Sequence, residues 1–169
     1  MSDILVTPDG ILQFGGLQFR CALGKGGVRS EADKREGDGA TPLGRYPIRQ
    51  VFYRADRLSP PETRLPLQAL TPQDGWCDDP ADPAYNRFVT LPCAASHEKL
   101  WREDHVYDVI AVLGHNDDPP VPGLGSAIFL HVARPEYSGT EGCVALALPD
   151  LLALLAVLRS STHVDLRMS

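Results

Sequence analysis

The chain is short of several features, and each shortage excludes a class of protein. Four cysteines, Cys21, Cys77, Cys93 and Cys143, are scattered over 169 residues with no Cys-x-x-Cys pair. That spacing matches neither a zinc ribbon nor a thioredoxin-type redox pair, and it is too sparse for a disulfide framework. Cys77 and Cys93 read equally as a pair or as two free thiols. Basic residues are in deficit, with a net charge of −6, so no surplus exists to neutralise nucleic-acid phosphates. A local basic patch of Lys34-Arg35 with Arg20, Lys25, Arg29 and Arg45 reads as solvated loop side chains. No apolar run approaches the roughly twenty residues needed to span a bilayer, and Val144–Leu158 is interrupted by Pro149-Asp150. The start, MSDILVTPDG, lacks the basic residues and long apolar stretch of a secretory signal, so the chain as given is expected to be soluble.

Cofactor motifs are missing as well. There is no HExxH and no ligand pair at helical spacing, although five histidines are present. Gly24-Lys25-Gly26-Gly27 lacks the GxxxxGK[ST] order of a phosphate-binding loop. No metal and no cofactor are expected. Asp78, Asp79, Asp82 and Asp117-Asp118 read as turn formers. Trp76, Tyr85 and Trp101 read as half-buried packing rather than sugar-stacking platforms.

What is present reads mainly as β structure, with no internal repeat and no second-domain boundary over 1–169. Pro8-Asp9-Gly10 carries turn chemistry between Ile4–Thr7 and Ile11–Phe14, predicting a hairpin. Leu17, Phe19, Cys21 and Leu23 alternate with other residues at the two-residue period of a half-buried strand. Residues 24–44 form a long polar connection, and Arg45–Arg54 is a strand with a break in its alternation. Proline-rich Leu58–Ala84 reads as mostly irregular. Arg87–Leu91, Val106–Leu113, Ala127–Ala133 and His163–Arg167 read as strands, and Ser96–Glu103 as a short helix with Leu100 and Trp101 inward. Leu148–Leu158 is a helix: Pro149 and Asp150 suit its first turn, and five leucines make one broad apolar face. The expected class is mainly β and β-sandwich-like, with a few peripheral helices.

Within Ser126–Leu146, His131 ends an apolar strand and precedes Gly142-Cys143 by a short polar loop. A thiol becomes a strong nucleophile as thiolate, and an imidazole is the usual means of producing it. Gly142 permits a sharp turn beside the sulfur, and the Gly142 and Cys143 amides are oxyanion-hole candidates. From spacing alone, Cys143 reads equally as a buried inert thiol. His115, in a loop after a strand, is either a cleft residue or a solvated one. Ser138 and Thr140 are candidate hydroxyl contacts. The group that orients the imidazole need not be an acid; a main-chain carbonyl suffices.

The pattern His131 … Thr140-Glu141-Gly142-Cys143-Val144 resembles the histidine … Ser/Thr-x-Gly-Cys-Val/Ile signature of the YkuD-type L,D-transpeptidases. These cysteine enzymes cross-link or edit bacterial peptidoglycan. Thr41-Pro42-Leu43-Gly44 is similar to the family's Thr-Pro-x-Gly turn, and Asp74–Asn86, Leu100–Asp108 and Gly123–Val132 resemble one bacterial branch. The resemblance implies a single catalytic domain over 1–169 with Cys143 as nucleophile and His131 as base. Its partners would be donor and acceptor peptidoglycan stem peptides, with attack on an L-centred carbonyl next to a D-centre. A thioester would form and then be resolved by an amine.

Two positions depart from the family pattern. Glu141 stands where many relatives have histidine, and Ala145 where they have arginine. Alanine cannot pair with a substrate carboxylate, so altered donor recognition is expected, with 1,3 links besides or instead of 3,3 links. Two rival readings are an L,D-carboxypeptidase or amidase-like hydrolase using the same pair, and a non-catalytic wall-binding module. A periplasmic location is expected from the substrate, and a monomer is expected.

Overall fold

The computed structural model describes residues 2–169. Strands β1 (Ile4–Thr7) and β2 (Ile11–Phe14) form the expected hairpin, and β3 (Leu17–Arg20) pairs back on β2. Gly10 in the turn takes φ +82°, which a side chain would strain. Two short strands, β4 (Val28–Arg29) and β5 (Thr41–Pro42), pair inside the long polar connection. Asp38 organises that connection by accepting the Arg35 and Ala40 amides and the Lys34 ammonium. Lys34 is therefore 3% exposed, not a solvated member of a basic patch; its charge is tolerated there because Asp38 partners it.

Strand β6 (Gly44–Tyr53) is the longest, and its break in alternation is a bulge. Val112 faces Gln50 while Leu113 faces Ile48, leaving Arg49 unpaired in the ladder. Next come β7 (Leu67–Ala69), β8 (Asp74–Cys77), β9 (Phe88–Thr90), β10 (His97–Lys99), β11 (Val109–Leu113), β12 (Phe129–Val132) and β13 (Val144–Leu146). Helix α1 (Leu148–Val157) and strand β14 (His163–Leu166) complete the described chain. Pro149 lies in the first turn of α1. Leu151, Leu154 and Leu155 are fully buried, each burial favouring the fold by about 1.5–3 kcal/mol.

The large sheet runs β13-β12-β11-β6-β14-β1-β2-β3, with β7 also against β6. It coils until its edges meet: Ala22 and Ala145 exchange two backbone hydrogen bonds of 2.8 and 2.9 Å. The inner face, with Ile4, Val51, Ala111, Leu130 and Val144, packs with α1 into the main core. A three-stranded sheet, β10-β8-β9, contributes to a second core on the outer face of β11 and β12. There Trp76 meets Phe129 edge-on at 5.2 Å. The mainly β expectation is thus realised as two sheet layers, with α1 the one helix among the described residues.

The segment 96–103 corrects the expected short helix. His97, Glu98 and Lys99 pair with Cys77, Trp76 and Gly75 as β10 against β8. A cross-strand partner some twenty residues away overrides the weak local preference. Leu100 is nevertheless fully buried, as its position predicts. Proline-rich flanks conceal β8, whose four residues are all buried.

Candidate active site

Alternation along β12 turns Leu130 and Val132 into the main core and Phe129 and His131 outward. In the parallel pairing of β12 with β13, Leu130 sits opposite Val144 and His131 opposite Ala145. One step earlier, Cys143 falls beside Phe129, whose amide donates to the sulfur at 3.4 Å. His131 and Cys143 therefore line the same cleft, of about 360 Å³, together with Thr140. A second cavity of about 490 Å³, lined by Phe52, Phe88 and the Arg49–Asp117 pair, holds neither a thiol nor an imidazole.

The loop before β13 is shaped around the sulfur. The Thr140 hydroxyl donates to the Cys143 carbonyl at 2.7 Å and accepts the Gly142 amide at 3.2 Å. Gly142 takes φ +114°, and a Cβ there would lie 2.8 Å from the Ala40 carbonyl oxygen. Only glycine fits this turn. The Cys143 thiol donates to the Ala127 carbonyl at 3.2 Å. Ala127 is itself left-handed, φ +55°, and Asn86 Oδ1 accepts its amide at 3.0 Å. Asn86 also accepts from Trp76 Nε1 and donates to the His115 and Asn116 carbonyls. One buried amide thus ties β8, the loop after β11 and the approach to β12 to the position of the thiol.

Burial pushes the Cys143 thiol up to about 12, reinforced by the Glu98 charge and opposed by the Phe129 amide and Lys34. Burial lowers the His131 imidazole to about 4; the Val132 carbonyl opposes that shift, while Arg134 and Arg102 add to it. At neutral pH the resting pair is therefore a thiol and a neutral imidazole, not an ion pair. His131 Nδ1 lies 2.9 Å from the Val132 carbonyl. A neutral ring bonded to a carbonyl through Nδ1 carries its proton there, leaving Nε2 as an acceptor. Tyr107 meets the ring edge-on at 5.4 Å, and its hydroxyl donates to Glu98 Oε1 at 2.7 Å. Burial raises the Glu98 carboxyl above the usual carboxylate range.

The remaining sequence candidates lie elsewhere. His115 is 3% exposed, meets Tyr46 edge-on at 5.3 Å and is not among the cleft-lining residues. Strand-end position placed it near an opening in sequence terms, but the β11 loop folds its ring back against the core. Ser138 is exposed and also off the cleft. Glu141 stands at the exposed rim in an ion pair with Lys25 at 2.5 Å. Ala145 is 1% exposed, its backbone bonded to Ala22. Trp76 and Tyr85 are buried in packing, and Trp101 lies under the Arg54 guanidinium at 3.5 Å.

Sequence reasoning missed Glu98, Arg102, Tyr107 and Arg134, all of which line the cleft. The first two sit in the segment expected to be helical, where their side chains had no assigned face. Among the described residues, no group of three or more His, Cys, Asp or Glu side chains is arranged to hold a metal ion.

No curated protein and no solved structure matches the chain. A family model does match: the YkuD family, described as the L,D-transpeptidase catalytic domain, covers residues 11–166. A mainly β fold with a near-closed sheet agrees with that match, and the chain belongs to the YkuD family of L,D-transpeptidase catalytic domains, whose activity is directed at peptidoglycan.

Proposed function

We propose that residues 1–169 form one catalytic domain, a cysteine L,D-transpeptidase that joins peptidoglycan stem peptides through a thioester on Cys143. The observation that carries this reading is that His131 on β12 and Cys143, just before β13, line one cleft on the outer face of the sheet. In the resting state both groups are uncharged, so proton transfer accompanies attack instead of preceding it. His131 Nε2 takes the thiol proton as sulfur bonds to the L-centred carbonyl carbon. The C–N bond then breaks, and the imidazolium hands its proton to the departing amine. An acceptor amine attacks the thioester, His131 takes its proton, and sulfur leaves as thiol. Because the Thr140 hydroxyl already holds the Gly142 amide, the Cys143 amide is the better oxyanion donor of the two. The Val132 carbonyl orients the imidazole.

Ala145 in place of arginine supports a changed donor junction, with 1,3 links besides or instead of 3,3 links. The substrate places the working enzyme in the periplasm, and a monomer suffices because one chain holds both groups. Among the described residues, no helix is long and apolar enough to cross a membrane. Intact-mass analysis with defined stem peptides tests the reading. An acyl adduct is expected on the wild type and none on Cys143→Ala. Sequencing the dimers by mass spectrometry then separates 1,3 from 3,3 junctions. Trimmed monomers despite added acceptor amine mark a hydrolase, and sacculus binding with no adduct in either protein marks a wall-binding module.

A further inference from the structure

The cleft around Cys143 carries charge of both signs, and the two signs differ in how they are used. Its acids are occupied. Glu36 accepts the Tyr85 hydroxyl at 2.7 Å and the Ser126 hydroxyl at 2.6 Å. Asp78 accepts the Ser96 hydroxyl at 2.7 Å, Glu98 is held by Tyr107, and Glu141 by Lys25. The cleft's guanidinium groups are less occupied. Arg102 lends Nε and Nη2 to Asp104 at 2.8 and 2.7 Å, which leaves Nη1 without a hydrogen bond among the described residues, and its guanidinium carbon lies 5.4 Å from the Tyr107 ring centroid. Arg134 makes no hydrogen bond through its side chain among the described residues. Its nearest carboxylate is the same Asp104, at 3.9 Å, and its side chain is 45% exposed.

Two guanidinium groups therefore converge on one internal carboxylate at the mouth of the cleft, and one of them has all its donors to spare. Such a fork matches a planar carboxylate bidentately. Arg134 lies three residues beyond His131, and both arginines act electrostatically on that imidazole. Ala145 contributes no cation to the cleft.

We infer that Arg134, with Arg102 beside it, is the site that binds the free carboxylate of the donor's departing D-residue. This rests on the transpeptidase reading of the same cleft. The geometry of the leaving group supplies the reason for choosing that carboxylate. In the departing residue the amine nitrogen and the carboxylate are carried on one carbon. A group that holds the carboxylate must then stand beside the group that protonates the amine, and the arginines stand beside His131. Burial is the main reason the imidazole is uncharged, and the two arginines add to it; an anion bound between them offsets that smaller contribution.

The test compares two donor stem peptides, identical except that the departing D-residue ends in a carboxylate or in a carboxamide. Rates of acyl-adduct formation on the wild type are expected to favour the carboxylate by about tenfold or more, mainly through KM. Arg134→Ala should reduce that preference to about twofold or less, and Arg134→Lys should restore part of it. Arg102→Lys, chosen because the Asp104 contact makes alanine a folding risk, should weaken the preference less. A preference that survives Arg134→Ala, or a parallel fall for both donors, would overturn the inference. So would a carboxylate effect that follows the acceptor when it alone is amidated. If neither donor forms an adduct, the transpeptidase reading fails separately. Titration of the two peptides into Cys143→Ala then decides this site, with equal binding counting against it.

Discussion

Two of the buried thiols occupy the two faces of the large sheet, and they share their exposure and their charge state. Cys21 belongs to the inner core with Ile4, Leu12 and Val144; Cys143 belongs to the outer core with Trp76, Tyr107 and Phe129. Each is 5% exposed. Burial pushes both thiols up to about 12, helped by Asp9 in one case and Glu98 in the other. Neither is a thiolate at rest. They differ in their neighbours: the Cys143 sulfur is held by the Phe129 amide and the Ala127 carbonyl and shares a cleft with His131, whereas the cavity beside Cys21 is lined by no imidazole. Low exposure and a raised pKa therefore do not separate a structural thiol from the proposed nucleophile. On the transpeptidase reading proposed above, reactivity comes from a base that acts at the moment of attack.

The histidines repeat the comparison. His115 packs at the inner core against Tyr46, His131 on the outer face against Tyr107, and burial holds both at about 4. An unfolded chain would bind protons at about 6.5. Between those values the unfolded state binds more protons, so stability is complete above pH 6.5 and is lost as pH falls toward 4. For the two groups together the loss is on the order of 5 kcal/mol, enough to unfold many domains. Urea melts at pH 7, 5.5 and 4 measure it. His115→Gln and His131→Gln should each remove about half of the pH dependence; if only one does, the two faces are not equivalent.

A smaller effect separates packing from chemistry. Leu154 is fully buried on α1, so Leu154→Ala should cost about 2–5 kcal/mol in a denaturant melt while leaving alkylation of Cys143 by iodoacetamide unchanged under native conditions. An equal change in alkylation would mean that the outer cleft depends on the inner core.

The thiols provide the next test. Iodoacetamide labelling followed by peptide mass mapping should modify Cys143 about 10- to 100-fold faster than Cys21 at pH 7.5, an effect of about 1.4–2.7 kcal/mol. The advantage should vanish in His131→Ala. Labelling of Cys143 should also keep rising above pH 9 without a plateau, because no stable thiolate forms below that. A plateau near neutrality would show an ion pair and break the comparison drawn above. The least effect is expected at the rim, where Lys25 and Glu141 are 62% and 74% exposed. Lys25→Ala should change stability by less than about 0.5 kcal/mol.

Features that depend on a few neighbouring residues were legible from the chain alone. The Pro8-Asp9-Gly10 turn, the alternation of Leu17–Leu23, the leucine face of α1 and the candidacy of His131 and Cys143 all belong to this group, because turn chemistry, side-chain period and residue type are local properties. Features that depend on distant partners were not. β10 is a strand because β8 lies beside it, and Asn86 fixes the thiol through Ala127, forty-one positions away. Arg102 and Arg134 line one cleft with the imidazole because separate segments of the chain meet there. The charge state of the pair belongs to this second group as well. A sequence names a thiol and an imidazole, but the burial that keeps both neutral exists only once the sheets have closed over them and excluded water.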